Sequence, residues 1–467
     1  MAMKPFKCCL WLCLSILSSG GYAQDIALQH ARVIDGTGGP VMEHATVLIS
    51  RDRIAAVGPD GQVNVPPDAK LIDLSGKTVL PGLISDHSHL GLVNGIRTGT
   101  QVYTRENMLR QLQQYQRYGV TTVFSMGMNG PTYLAVREQA HAGTIPGADT
   151  FGADRGYGVP DGAPPVDVAP DQLYRPTTVA EARQQVEEAA ARHPDLIKLW
   201  VDDFHGTLRS KMTPEMYRAV IDEAHKRGLR VAAHVYYLAD AKQLVADGVD
   251  VLAHGVRDQP VDDAFIAAMK SHGVWYIPTL TLDEDFYVFA QHPAWMDTTF
   301  FREAVQPALA AQFNDPAWQK KALEPKSLAT NEASVKNNLA NLKRLNDAGV
   351  LIGFGTDSGA SPVRIPGFAE HRELQLYVQA GLTPAQAIHL ATGSAAALLK
   401  LDDRGVIRAG KRADLLVVEG DPSQNIADID RIEAVYQRGR EVSGAVDSWS
   451  GTTAGRHVPT VSYSGYP

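Results

Sequence analysis

Between residues 107 and 357 the hydrophobic positions switch back and forth between two periods. A stretch with helical spacing ends at a glycine, and a short run of apolar and β-branched residues follows at once. Residues 107–118 stop at Gly119 before 120–124, 214–227 at Gly228 before 229–234, and 239–247 at Gly248 before 249–254. The same order recurs at Gly273, between 262–272 and 274–278, and at Gly349, between 334–348 and 350–357. Glycine suits the left-handed position just past a helix end. Helices alternating with strands imply parallel strands and right-handed crossovers. With apolar runs at 79–90, 150–153 and 196–200, about eight strand–helix units can be counted, which predicts a TIM (β/α)8 barrel. A doubly wound open sheet is the competing arrangement.

The chain ends follow a different pattern. Residues 26–79 carry short apolar runs broken by Gly, Pro and Asp, a β signature that returns at 406–418 and 434–436. Neither piece holds a core of its own, so the two are expected to combine into a small composite β-sandwich. The implied division is 24–80 and 404–447 for the sandwich, 81–403 for the barrel and 448–467 for a polar tail without a readable signal. Residues 1–23 read as an export signal: Lys4 and Lys7, then an apolar run over 8–17, then Gly21 and Ala23 at a cleavage position. The alternative, a retained anchor, needs a longer apolar run. The mature protein is therefore expected to be periplasmic or secreted.

Composition narrows the picture. The three cysteines, Cys8, Cys9 and Cys13, all fall inside the signal, so the mature chain has no disulfide and no thiolate ligand. A formal net charge of -8 without a Lys/Arg cluster argues against nucleic acid and against an anionic membrane surface. A small-molecule substrate is the expected partner, and a homo-oligomer is left open. Two long connections, 154–178 and 281–330, follow the third and seventh strands, on the face where barrel enzymes bind substrate. They are read either as substrate-covering loops or as packing and dimer-contact insertions. The second holds Phe286, Tyr287, Trp295, Phe300 and Phe301.

Candidate chemistry gathers at predicted strand ends. His87 and His89 are two residues apart on a strand, so they point the same way and suit a transition metal. Alone the pair reads better as two solvated strand-end histidines. Lys198 in strand four, His234 in strand five, His254 in strand six and Asp357 in strand eight extend it to six polar residues. Burying six such groups without partners would cost several kcal/mol each, and a metal centre supplies partners. His225 and His272 sit in last helical turns, where a cation suits the helix dipole. His371 is read on a polar helix face, and none of these three is given a catalytic role. Tyr236, Arg155 and Arg364 are candidates for meeting an acidic substrate group, or else surface and packing residues.

These residues carry a resemblance. The run Pro81-Gly82-Leu83-Ile84 leading to His87 and His89, then His234, His254-Gly255, Gly355-Thr356-Asp357, Ala391-Thr392 and 410–415 together resemble the amidohydrolase superfamily. The similarity is to its imidazolonepropionase and zinc-dependent prolidase branch. The resemblance implies a barrel with a composite β-sandwich and a metal-dependent hydrolase using one or two zinc ions. It implies that His87, His89 and Asp357 hold one metal, and that His234 and His254 hold the second. Lys198, if carboxylated on its amine, would bridge the two. In single-metal relatives His234 joins the first site and His254 contacts substrate. Asp357 and His254 are the expected catalytic residues. The family usually places Asp two residues before the first histidine; Ser85 stands there, with Asp86 next. The bond attacked is expected to be an amide of a dipeptide, N-acyl amino acid or cyclic amide, with a lactone or ester as the alternative. A scaffold without activity, which would lack metal ligands, and a lyase or isomerase on the same metal are the remaining classes.

Overall fold

The computed structural model describes residues 24–444; the expected export signal and the polar tail lie outside the described residues. Eight parallel strands build the central layer. Leu83–Ser88, Val120–Ser125 and Asp149–Gly152 pair in one run. Ile197–Trp200, Val231–His234, Val251–Leu252, Trp275–Tyr276 and Leu351–Ile352 pair in a second. Isolated backbone bonds bridge both seams. Asp195 N–H reaches Gly152 O at 3.1 Å and Tyr157 N–H reaches Lys198 O at 2.8 Å; on the other side His89 N–H reaches Ser358 O at 2.7 Å. The architecture is α/β, of the TIM-barrel type.

Strand alternation sorts the core. Leu196 packs in one compact cluster with Phe124, Met126, Ala232, Val251 and Ile277. Its neighbours Ile197, Leu199 and Val201 join the larger cluster that the helices cover. The helices sit where the pattern placed them: Arg105–Arg117, Pro214–Lys226, Leu238–Ala246 and Asp263–His272. Thr104, Thr213 and Asp262 cap three of them by accepting the backbone N–H three residues on. Gly273 ends the fourth in the left-handed region, at φ 64, a conformation that a Cβ would strain.

Both chain ends enter one sheet. Its order is Arg440–Gly444, Ile432–Gln437, Leu415–Glu419, Lys77–Pro81, Ile26–Val33, Met42–Ser50 and Arg53–Pro59, with Lys70–Asp73 beside Ile26–Val33. Leu28, Val33, Val47, Ile54, Val79, Leu415, Val417 and Tyr436 fill its own core. Ile54 N–H to Lys411 O (2.9 Å) and Gly410 N–H to Ile54 O (2.8 Å) curl the far edge back toward the C-terminal segment.

Three readings change. The apolar run 79–90 is not one strand. It changes partners at Gly82, whose N–H bonds Asp414 O, while Leu83 N–H bonds Gly119 O, both at 2.9 Å. A Cβ at Gly82 would lie 2.3 Å from the Thr121 side chain, so only glycine fits this crossing between layers. The 281–330 connection is largely helical, with short helices at Thr281–Glu284, Thr299–Arg302, Pro307–Phe313 and Pro316–Ala322. The next helix, Pro325–Asp347, starts inside it. His371 is fully buried rather than on a polar face: its Nδ1 meets Asp430 and its Nε2 meets Tyr118 O, each at 2.8 Å. The returning C-terminal segment supplies Asp430 and covers that helix.

Candidate active site

The first strand ends by aiming His87 and His89 at Asp357, which follows the eighth. Asp357 Oδ1 lies 3.2 Å from His87 Nε2 and 3.1 Å from His89 Nε2. His254 completes a compact group: one donor atom each from His87, His254 and Asp357 fall within 4.8 Å of one another, all buried. His254 Nδ1 is engaged by Thr279 Oγ1 at 2.8 Å, which directs the other ring nitrogen elsewhere. His234 sits edge-on to His254, with ring centroids 4.2 Å apart. Lys198, fully buried on strand four, has no hydrogen-bond partner at Nζ, and neither nitrogen of His87 has one. All six residues singled out at strand ends therefore meet at one end of the strand layer.

Backbone geometry fixes Asp357. Its φ is +60, an unusual value for a residue with a side chain. Its own N–H and that of Thr356 both reach His87 O, at 2.9 and 3.1 Å. Glu370 braces the turn from beneath. Its Oε1 accepts the hydroxyls of Thr356 (2.7 Å), Ser358 (2.7 Å) and Ser85 (3.0 Å). Ser85 thus does what a carboxylate at its place would not: it donates, and it ties the first strand to the Asp357 turn. Glu373 acts similarly one turn on, accepting Leu280 and Thr281 N–H groups at 2.7 and 2.9 Å beside Thr279.

Burial sets the charges. It pulls the Lys198 ammonium down to about 7, against the opposing pull of Asp357 and Asp202. It also lowers His87 to about 3, helped by Lys198, so His87 is neutral at ordinary pH and free to ligate. Burial works against ionising Asp357. Arg364, and then the two histidines, outweigh it and hold the carboxyl well below the usual range. Arg364 donates to Asp357 Oδ2 and reaches Leu282 O at 3.4 Å.

A cavity of about 140 Å3 opens over this floor. Arg364 and Arg257 line it, with Trp200, Phe204, Leu282 and Phe286 as apolar walls. Arg155 does not: its guanidinium lies over the Tyr174 ring at 4.9 Å. Tyr236 is likewise outside the lining, stacked on His205 and with its hydroxyl 3.1 Å from Ser334 Oγ. Both lie in packing contacts, the alternative open to them from sequence. Of the 281–330 aromatics only Phe286 reaches the cavity; Trp295, Phe300 and Phe301 pack among themselves and on Phe368. A wider groove of about 340 Å3 shares Phe286 but carries only Lys321 as a charged group, so the chemistry belongs to the smaller cavity.

Sequence reasoning missed Arg257, Asp283 and Asp202. Arg257 is fully buried, with Nε 2.8 Å from Asp283 Oδ2. Asp202 is fully buried with Oδ2 3.2 Å from His234 Nε2. Arg257 stands three residues past His254 at a strand end, the one signal that marked it.

Residues 78–442 match the amidohydrolase family. The chain belongs to that family. Among amidohydrolase relatives, the imidazolonepropionase of Streptomyces avermitilis is 24% identical over 446 residues, covering 86% of this chain and 88% of that protein. The enamidase of Eubacterium barkeri is 24% identical over 390 residues, covering 81% and 82%. A solved Xaa-Pro dipeptidase with methionine in its active site superposes with a TM-score of 0.71 at 22% identity, over 90% of this chain and 100% of that one.

The donor set fits a divalent cation. Buried imidazole nitrogens and a lysine nitrogen without partners face an ionised carboxylate, an arrangement that is costly unless an ion fills it.

Proposed function

We propose that this amidohydrolase hydrolyses the amide C–N bond of a small substrate with a divalent metal, zinc by its donor set, held by His87, His89, His234, His254 and Asp357. The observation that carries the reading is the group of buried, partnerless nitrogens on His87 and Lys198 around Asp357. A cation bound there supplies Lewis acidity and makes hydroxide available near neutral pH. Asp357 orients the attacking water and accepts its proton. His254, fixed by Thr279, faces the scissile carbonyl and later the leaving group. Were a second cation bound, Lys198 would join the residues that hold the pair: burial lowers its ammonium to about 7, and the neutral amine would take up carbon dioxide, release a proton and supply an anionic oxygen donor. Trp200, Phe204 and Phe286 exclude water around an apolar substrate side chain. The activities of the relatives, imidazolonepropionase, enamidase and Xaa-Pro dipeptidase, support a C–N bond in a small molecule.

The same proposal covers the rest of the chain. Residues 24–80 and 404–447 form a composite β-sandwich against the 81–403 barrel. Residues 1–23 direct export and are cleaved after Ala23, which an intact mass from the native host checks. The test of function is a hydrolysis screen of zinc-loaded protein against Xaa-Pro dipeptides, N-acyl amino acids, cyclic amides and lactones, with bound metal measured in parallel. Turnover of an amide with one or two metals per chain supports the reading. Turnover of lactones alone favours the ester alternative, and a metal-free, inactive protein ends it.

A further inference from the structure

Asp202 belongs to no motif that the sequence singled out, yet it faces the same floor. Its carboxylate is fully buried, one oxygen is spoken for, and the other is not. Oδ1 accepts Phe204 N–H at 3.0 Å, closing a tight turn just beyond strand four. Oδ2 stands 3.2 Å from His234 Nε2 but is without a hydrogen-bond partner, because the ring nitrogen is not directed at it. The same combination occurs at His87: Nε2 lies 3.2 Å from Asp357 Oδ1 and makes no hydrogen bond. Two ligand-type atoms, an imidazole nitrogen and a carboxylate oxygen, that approach this closely without a hydrogen bond between them are each left with a lone pair for a shared third partner. Ligands bound at about 2.0–2.1 Å to one ion, at angles near 90–110°, stand about 2.9–3.4 Å apart. His87–Asp357, His89–Asp357 and His234–Asp202 all have that spacing.

We propose that Asp202 is a metal ligand, sharing with His234 a second cation position on the strand-four side of the floor. This rests on the metal-hydrolase reading above and extends its ligand set by one carboxylate. The turn that supplies Asp202 also supplies Phe204, whose ring lies parallel to the His234 imidazole at 4.8 Å between centroids. One loop therefore places both the carboxylate and the surface that fixes the imidazole. Lys198 Nζ is also without a hydrogen-bond partner, and the Asp202 charge acts on it. The rival is that Asp202 only balances a Lys198 ammonium and touches no ion.

The experiment uses the full mature chain, stripped with chelator and reloaded with Co2+ or Zn2+, with bound metal counted by emission spectrometry and affinities read by chelator competition. Asp202→Asn keeps the shape and the Phe204 bond but removes the charge. The expected result is loss of one metal equivalent. Asp203→Asn removes the same charge one residue on and keeps both ions. An Asp202→Asn protein with wild-type stoichiometry and affinity overturns the proposal and favours the counter-ion role. A wild-type chain that binds no divalent ion at all overturns this and the metal-hydrolase reading together. A chain that binds metal indifferently to Asp202 overturns this alone. Should the variant fail to fold by circular dichroism, cobalt anomalous scattering from wild-type crystals decides. An ion about 2.0–2.2 Å from Oδ2 supports the proposal, and none within 3 Å of it overturns it.

Discussion

The strand layer carries a buried polar cluster at each end, and the two are built on opposite rules. At the strand starts, Asp149 is saturated. Its Oδ1 accepts His141 Nδ1 (2.7 Å) and Thr150 N–H (3.0 Å), and its Oδ2 accepts Arg404 (2.8 Å) and Arg412 (3.0 Å). Arg412 in turn donates to Asp414 at 2.6 Å. At the strand ends, His87, Lys198 and Asp202 keep atoms with no partner. Similar residue types, similarly buried, leave one arginine nitrogen, Arg412 Nη2, without a hydrogen bond in one place and a group of potential ligand atoms without one in the other. A saturated cluster holds layers together, here the third strand and the returning C-terminal segment. An open one stores unmet coordination for something that binds.

Removing charge should therefore hurt activity at one end and stability at the other. The largest effect is expected from Asp357→Asn, which loses an anionic ligand and a proton acceptor. Turnover should fall by several powers of ten, while the variant still folds, as circular dichroism checks. Near-normal kcat with full metal content would remove Asp357 from the mechanism. Next, Asp149→Asn leaves Arg404 and Arg412 buried with too little counter-charge and should cost about 3–5 kcal/mol of stability, read by denaturant unfolding, with kcat little changed. A large loss of kcat in a variant that still folds would mean that the two ends are not separable.

The helices and strands were legible because their two periods and the glycines between them are local facts. Lys198 was legible for the same reason: its strand alternates between two clusters. Asp202 was not, because Asp202-Asp203 beyond a strand reads as an ordinary polar turn, and only His234, folded beside it, gives it a role. His371 failed likewise, since Asp430 lies far away in sequence. The helices in 281–330 were signalled after all, by Pro307, Pro316 and Pro325, each in a first helical turn. Arg155 and Tyr236 follow strands as the true lining residues do, and only packing on Tyr174 and His205 separates them.

The pH response sharpens the contrast between the two ends. Burial raises Asp149, but the His141 bond, Arg404 and Arg412 outweigh it and hold its carboxyl far below the usual range. Its contribution is thus complete above about pH 4 and lost only in strong acid. Glu373, under the open end, is pushed by burial up to about 8 despite two backbone donors. Between 4.5 and about 8 it stays protonated when folded and ionises when unfolded. Its contribution is full below that window and lost as pH rises through it. Melting temperature should fall from pH 5 to pH 8, and less steeply in Glu373→Gln; parallel slopes would assign the fall elsewhere. The smallest effect is expected from Phe286→Ala. Removing the wall between the cavity and the neighbouring groove should raise KM roughly tenfold or less and change the order of preferred substrates. A uniform fall in kcat across substrates would make Phe286 a packing residue.

The sheet shared by both chain ends has a consequence for synthesis. Lys77–Pro81 lies between Ile26–Val33 and Leu415–Glu419, so one of its edges waits for a strand made about 330 residues later. At about 5–20 residues per second, that edge stays open for roughly 20–70 s on the ribosome. An unpaired, apolar strand edge is a template for the wrong partner. The nascent chain is therefore most vulnerable to association with its neighbours while the barrel is being made. A holdase that covers residues 77–81 during that interval should raise the yield of folded protein more than one acting after release.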